Sequence, residues 1–140
     1  MAVRQEQAQV PTFYFGYRKT ARALATIREG QGRVRVNGYP LELLEPEVAR
    51  WVVQTPLELA RPYSERVDID VRTWGGGFTG QAYAAAMAIA RALVGFFNSE
   101  EIKKALLAHD PHLLKGDPRQ QEPKKFGGPG PRRRRQKSYR

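Results

Sequence analysis

The chain has 140 residues, with 24 Lys and Arg against 14 Asp and Glu, so its formal net charge is +10. That length accommodates one compact domain, and a hydrophobic content of 41% argues against a wholly disordered chain. The absence of Cys excludes disulfides, thiolate metal sites and cysteine nucleophiles. The longest apolar run, residues 82–97, is interrupted by Arg91 and is shorter than the ~20 residues that a membrane span needs. With no signal-like start either, we expect a cytoplasmic protein that does not bind membranes.

The positive charge is concentrated at the C-terminus. Residues 115–140 carry ten basic and two acidic side chains, a net +8, whereas residues 1–114 carry only +2. This segment is rich in Gly and Pro, and its only large apolar residues are Phe126 and Tyr139, so it cannot build a core. We therefore predict a flexible leader (residues 1–12), a globular body (13–114) and an extended basic tail (115–140). Such a tail indicates a polyanionic partner, above all nucleic acid, although a tail that only increases solubility is the alternative.

The first half of the body predicts strands followed by helices. Residues 13–27 read as one strand, with the small apolar residues at 21, 23, 25 and 27 on its inner face. Residues 28–32 predict a reversal into a second strand, 33–36, giving a β-hairpin with one basic side, and Asn37-Gly38 predicts a tight turn. A helix is expected from Glu45-Pro46-Glu47 to Val53, and a second short helix from Thr55-Pro56.

The second half contains the clearest strand, residues 66–74, which alternates apolar and polar side chains. Three glycines end it, Thr79 is a candidate cap, and an Ala-rich helix is predicted over 81–97. The spacing of Asn98 and Glu101 predicts a capping box for a last helix that Asp110-Pro111 ends. Strands and helices without strict alternation predict an α+β fold in two layers, with helices on one face of the sheet.

Few residues suggest catalysis or metal binding. Gly75-Gly76-Gly77, between a strand and a helix, is read either as a tight turn or as a close approach to an RNA phosphate, because no phosphate-binding lysine follows. His109 and His112 are three residues apart but have no third ligand at a suitable spacing. Asp68 and Asp70 share a strand face, where solvated or Arg-paired carboxylates are expected. We predict no enzyme, no metal and no cofactor.

A basic and aromatic cluster is more informative. Cations at positions 18, 19, 22, 33 and 35 lie in the first two predicted strands, where they would meet phosphates from one sheet face. Alternation places Arg18 and Arg22 outward and turns Lys19 toward the core side. Tyr14, Phe15 and Tyr17 would stack on exposed bases. For Phe13 and Phe15, however, core packing is the favoured interpretation.

The order of short motifs resembles one family. These motifs are Gly16-Tyr17-Arg18-Lys19-Thr20-Ala21, Gly30-Gln31-Gly32, Val36-Asn37-Gly38, Val67-Asp68-Ile69, the glycine triplet with Gln81-Ala82, Asp117-Pro118-Arg119, Glu122-Pro123-Lys124-Lys125 and Gln136-Lys137-Ser138-Tyr139-Arg140. Over about residues 13–140 they resemble the ninth universal protein of the small ribosomal subunit. The segment from Lys124 to Gly130 and the Ser-Tyr-Arg ending are similar to the archaeal and eukaryotic branch, and the short leader favours an archaeal source.

The resemblance implies a fold similar to the second domain of the fifth small-subunit ribosomal protein, a left-handed βαβ sandwich. It implies a place in the subunit head on the 3′ major domain of the rRNA, beside neighbouring ribosomal proteins. It also implies a tail that reaches the peptidyl-site tRNA, and 26 residues at up to about 3.3 Å each span at most roughly 85 Å. No homo-oligomer is expected.

The site residues expected from charge and resemblance together form two groups. The rRNA group is Arg18, Lys19, Arg22, Arg33, Arg35, Gly75, Gly76, Gly77, Arg119, Lys124, Lys125, Arg132, Arg133, Arg134 and Arg135. The tRNA group is Lys137, Tyr139 and Arg140. A chromatin-like protein that binds duplex DNA would explain the charge but not the order of motifs. A phosphotransfer enzyme would need a phosphate-binding lysine and a metal-binding acid cluster that the sequence does not supply.

Overall fold

The computed structural model describes residues 12–139, which form a mixed five-stranded sheet covered by helices on one face. The strands are β1 (Phe13–Arg18), β2 (Ala21–Glu29), β3 (Val34–Val36), β4 (Tyr39–Pro40) and β5 (Val67–Trp74). The helices are α1 (Glu47–Leu59), α2 (Phe78–Phe97), α3 (Glu100–His109) and α4 (His112–Lys115), with 3₁₀ turns at Leu41–Leu43 and Tyr63–Arg66. The α+β prediction is confirmed. Of the predicted leader, all but Thr12 lies outside the described residues.

The single strand predicted over 13–27 is wrong, because the chain reverses at Lys19 and Thr20. Lys19 adopts a left-handed conformation with φ of 50°, and β1 and β2 pair antiparallel on either side of this two-residue turn. Arg18 lies opposite Ala21, and Tyr14 lies opposite Ala25. The reversal exchanges the two faces of β1 relative to one continuous strand, so even-numbered residues of β1 share a face with odd-numbered residues of β2.

The predicted hairpin between residues 13–27 and 33–36 is also wrong, because β5 lies between β2 and β3. The strand order is β1-β2-β5-β3-β4, with β3 parallel to β5 and the other pairs antiparallel. The loop before β3 bonds to β5 instead of turning back on β2: the amides of Gly30 and Gly32 donate to the carbonyls of Arg66 and Val67 at 3.0 and 3.1 Å. The Asn37-Gly38 turn is confirmed as the β3–β4 connection, with φ of 52° and 84°.

The core lies between the sheet and α2, which packs on β1, β2, β5 and α1. Small residues permit a close approach: a Cβ added to Gly16 of β1 would lie 2.2 Å from the carbonyl oxygen of Ala84 in α2. Ten residues of α2 are buried. Among the described residues, α2 is the one helix with the length and hydropathy of a membrane span, and its burial is typical of a core helix.

The helix ends differ in detail from the prediction. α1 runs through Pro56 without interruption, so the separate helix predicted from Thr55 is wrong. α2 begins at Phe78 with Gly77 as its N-cap, and Thr79 therefore lies inside the first turn. Asn98 is the C-cap of α2, in a left-handed conformation, and Ser99 is the N-cap of α3 without a side-chain hydrogen bond. The predicted capping box between Asn98 and Glu101 is therefore wrong. The predicted end at Asp110 is confirmed, and α4 follows it without having been predicted.

Candidate nucleic-acid interface

Arg18 does not lie on the outward face where alternation placed it. Because the turn at Lys19 exchanges the faces of β1, Arg18 projects to the helix side. There its Nη1 donates to Asp117 Oδ2 at 2.7 Å, and its guanidinium lies 5.0 Å from the ring centre of Tyr83. Its side chain is 26% exposed. The structure thus gives Arg18 a partner inside the protein.

Asp117 ties the beginning of the tail to the body. Its side chain is 3% exposed, and it accepts hydrogen bonds from Arg119 Nε and Nη2 and from the Arg119 amide as well as from Arg18. The Arg119 side-chain hydrogen bonds, followed by the Arg119 amide, hold the pKa of Asp117 well below its usual range. Arg119 remains 72% exposed at its side chain. One buried carboxylate therefore fixes where the tail leaves the body.

Lys19 lies beside the glycine loop at the start of α2. Lys19 is exposed at the hairpin turn, and it lines one groove together with Gly76, Gly77 and Tyr83. Arg22 projects from the other sheet face and bonds back to the same turn, since its Nη1 donates to the Lys19 carbonyl at 2.6 Å. A cation next to the uncapped N-terminus of a 20-residue helix favours a phosphate in this groove.

The three glycines are not equivalent. Gly75 and Gly76 have φ of 74° and 61°, and a Cβ on Gly75 would lie 2.6 Å from the Thr20 carbonyl oxygen, so the turn itself requires glycine there. Gly77 has φ of −101°, and an added Cβ would meet nothing within 4 Å. The tight-turn interpretation accounts for the first two glycines. Gly77 instead leaves the approach to the α2 amides open.

The second group of cations lies on the sheet face that no described helix covers. Arg35 is exposed there, opposite Asp70 of β5, whereas Arg33 is exposed in the loop before β3. Since β5 separates β3 from β2, these two residues do not face Arg18 across a hairpin. The same uncovered face carries Arg72 and Trp74, neither of which the sequence assigned to RNA binding. The alternation of apolar and polar residues over 66–74 places both side chains outward, and this pattern could have predicted them as candidates.

The core interpretation of Phe13 and Phe15 is wrong. They are 58% and 44% exposed, because the exchanged faces of β1 direct both rings to the uncovered side of the sheet. Tyr14 packs against the core instead, and its ring occupies the space that a Cβ on Gly95 would take. Two of the aromatic residues at the start of the body are therefore available to a partner.

The tail folds back on itself near its middle. Arg132 donates from Nε and Nη2 to the two carboxylate oxygens of Glu122 at 2.9 and 2.7 Å, which lowers the pKa of Glu122. Arg134 Nη1 donates to the Phe126 carbonyl at 2.9 Å, and the Arg135 amide donates to the Gly127 carbonyl at 3.3 Å. Residues 122–135 thus form a closed loop, which we call the tail loop, where an extended segment was predicted.

Most cations of the tail keep their charge available. Within residues 115–139, seven have no described carboxylate within 4 Å, namely Lys115, Lys124, Lys125, Arg133, Arg134, Arg135 and Lys137. Tyr139 is almost fully exposed. Arg140, predicted to contact tRNA, lies outside the described residues.

Metal binding and acid-base chemistry find little support in the described part of the chain. No three His, Asp or Glu side chains in it are grouped to hold a metal ion. His112 Nδ1 lies 3.3 Å from the Gly116 carbonyl at the end of α4. Asp68 accepts the amides of Arg33 and Gln31, which lower its pKa in that order, and Asp70 lies 3.8 Å from Arg28. The fold therefore uses Asp68 to hold the loop before β3, whereas Asp70 stays half exposed beside Arg28.

The chain is similar to known proteins along most of its length. The sequence pattern of the family described as ribosomal protein S9/S16 matches residues 16–140. The chain belongs to this ribosomal protein family. A protein of Pyrobaculum aerophilum named small ribosomal subunit protein uS9 is 53% identical over 125 residues, which cover 89% of this chain and 88% of that protein. Proteins of the same name from Desulfurococcus amylolyticus and Caenorhabditis elegans are 50% and 47% identical, covering 89% and 90% of this chain and 89% and 93% of their own lengths. Membership of the S9/S16 family makes this chain a ribosomal protein.

Proposed function

We propose that the chain is a structural constituent of the small ribosomal subunit that binds rRNA of the subunit head, in the 3′ major domain. The observation that carries this proposal is the separation of a folded body from a tail in which six described cations, none of them paired with a described carboxylate, follow the point of attachment at Asp117. Each phosphate that such a cation neutralises releases counterions, which is the main source of affinity for RNA. The relatives named above are small-subunit proteins by name, which supports the same assignment.

On the body, we assign the first rRNA contacts to the groove beside the α2 N-terminus. Lys19 and Gly77 are open to a phosphate there, and Arg22, Arg33 and Arg35 lie at or near the uncovered sheet face. Arg18 and Arg119 act through Asp117 and set the direction of the tail. Lys124, Lys125 and Arg133–Arg135 then supply the tail's rRNA contacts.

The end of the tail carries the second part of the proposal, a contact with the peptidyl-site tRNA. Lys137 and Tyr139 are exposed at the end of the described tail, where a cation and an aromatic ring suit a phosphate and a base. Arg140 adds a guanidinium fork for bidentate phosphate binding. We assign the tRNA contact to these three residues.

The remaining parts of the proposal concern architecture and partners. The parallel β3–β5 pair is joined through α1 and is therefore a βαβ unit. This unit supports the proposed likeness to the second domain of the fifth small-subunit ribosomal protein, a left-handed βαβ sandwich. We propose a cytoplasmic, ribosome-bound protein without enzymatic activity or cofactor, which contacts other head proteins and forms no homo-oligomer.

The test is assembly with a shortened tail. A variant that ends at Arg119 keeps the attachment at Asp117 but loses the tail loop and the tRNA residues, whereas a variant that lacks only Arg140 keeps both the loop and Lys137. We expect the first to sediment poorly with small subunits. The second should assemble normally but bind peptidyl-site tRNA more weakly in filter binding. Full-length protein that stays out of small subunits, or that prefers duplex DNA to rRNA in competition, would refute the proposal and favour the chromatin-like alternative.

A further inference from the structure

The sheet face away from the helices is an aromatic surface that no described helix covers. We call it the open sheet face and define it by Phe13 and Phe15 of β1, Leu24 of β2, Arg35 of β3, and Arg72 and Trp74 of β5. The described helices pack on the opposite side, while Phe13, Phe15 and Trp74 are each between 44% and 58% exposed. Folded proteins rarely leave such a patch exposed unless it binds a partner.

The strand register aligns aromatic and cationic side chains in rows across this face. Phe15, Leu24 and Arg72 lie side by side on β1, β2 and β5. Phe13 begins the next row, which runs through Thr26 and Asp70 to Arg35. Five of the six defining residues line one continuous groove, the exception being Phe15. Strand geometry separates the backbone positions of Phe13 and Phe15 by about 7 Å. That is twice the ~3.4 Å rise per nucleotide of a stacked strand, a spacing that suits one base between the two side chains.

Charge favours RNA over a protein as the occupant. Arg35 and Arg72 are exposed on the open sheet face, and its central carboxylate, Asp70, is already next to Arg28 at 3.8 Å. Aromatic rings flanked by free guanidinium groups suit unpaired bases with their phosphates, whereas the bases of a duplex are stacked on one another and cannot reach the rings. An apolar protein surface would leave the two guanidinium groups without partners.

We propose that the open sheet face is a stacking platform for unpaired nucleotides of RNA, with Phe13, Phe15 and Trp74 on the bases and Arg35 and Arg72 on the phosphates. This proposal rests on the rRNA-binding function proposed above and assigns it a second kind of contact. The tail attracts phosphates of any sequence and structure. The platform selects single-stranded segments.

Trp74 provides a direct readout of the platform. The chain has two tryptophans, and Trp51 lies on α1, away from the open sheet face. In full-length protein carrying Trp51→Phe, fluorescence reports Trp74 alone. We expect a 12-nucleotide oligoadenylate to quench this fluorescence, and a 12-base-pair RNA duplex to bind through the tail without quenching it.

Two substitutions separate stacking from apolar contact. Phe13→Ala/Phe15→Ala should weaken oligoadenylate binding about 10-fold, within the range measured for base stacking, with an unchanged dependence on salt. Phe13→Leu/Phe15→Leu keeps the apolar surface but removes the π faces, so it should lose as much. Tyr39→Ala is the matched control, because Tyr39 is 68% exposed and pairs with the inward-facing Val36, which places it on the other side of the sheet.

The outcomes distinguish this proposal from the function on which it rests. If the alanine variant binds oligoadenylate like the wild type while a tail-shortened variant loses the salt dependence of rRNA binding, the platform is refuted and rRNA binding stands. If the leucine variant retains full binding, or if the alanine variant binds RNA normally but fails to join small subunits, the face holds an apolar or protein partner and the platform is refuted. Wild-type protein that binds no RNA would refute both.

Discussion

The ion pair between Arg132 and Glu122 predicts that neighbouring arginines of the tail contribute unequally to RNA binding. Arg132 is held by two hydrogen bonds to one carboxylate, whereas the side chain of Arg133 has no ion pair or hydrogen bond to the described residues. Both carry one positive charge. Only the unpaired one should release a counterion when a phosphate is bound.

The size of the difference follows from the counterion slope. Each neutralised phosphate contributes about 0.7 to 0.9 to the slope of log K against log salt. Arg133→Gln should flatten the slope by that amount, and adding Arg135→Gln should double the change. Between 50 and 200 mM salt, the wild type would then lose about tenfold more affinity than the double variant. Arg132→Gln should leave the slope unchanged, and Glu122→Gln should steepen it by releasing Arg132.

The assay is filter binding of the full-length variants to a 3′ major domain rRNA transcript at four or more salt concentrations. Arg132→Gln and Arg133→Gln are matched, because they are adjacent and remove the same charge. Equal flattening by the two would show that the Glu122 pair opens on RNA. In that case the tail loop would not be the RNA-bound form, and the predicted difference between Arg132 and Arg133 would be refuted.

Two further predictions concern the body. The lowered pKa of Asp117 means that its ion pairs stabilise the fold above the ordinary carboxyl value of 3.8 and are lost as the pH falls below it. Wild-type thermal stability should therefore fall more steeply between about pH 5 and pH 2 than that of Asp117→Asn, as followed by circular dichroism, and parallel curves would refute the role of this carboxylate. Gly16→Ala should force β1 away from α2 and cost about 1–3 kcal/mol of stability, or about 4–20 °C in Tm for a body of this size. Gly77→Ala, where the added methyl meets open space, is its control, and equal losses of Tm would contradict the packing argument.

The sequence predicted correctly those features that interactions between neighbouring residues determine. The alternation of residues 66–74, the Asn37-Gly38 turn and the end of a helix at Asp110 each depend on neighbouring residues, and all three are present in the structure. The Lys19 turn has no Gly or Pro, and alternation continues on both sides of it, so no signal marked the reversal. One missed turn then assigned Arg18 and the two phenylalanines to the wrong faces.

The remaining differences depend on residues far apart in the chain. Arg18 and Asp117 are 99 positions apart, so nothing in either motif indicates their hydrogen bond. The insertion of β5 between β2 and β3 is likewise decided by burial, since Val67, Ile69 and Val71 are almost fully buried at the middle of the sheet. Charge and motif order predicted the class of partner. Assigning each of these residues to a face of the sheet required the three-dimensional structure.

The central position of β5 also orders events during synthesis of this chain. The β1–β2 and β3–β4 hairpins are complete once Pro40 has been made, but the strand that joins them begins only at Val67. At ~5–20 residues per second, the two hairpins wait roughly 1–5 s for their shared neighbour. During that interval both expose unpaired strand edges, which are sites of mispairing between chains. The cationic tail is made after β5, so the hairpin edges are exposed before the chain carries most of its positive charge.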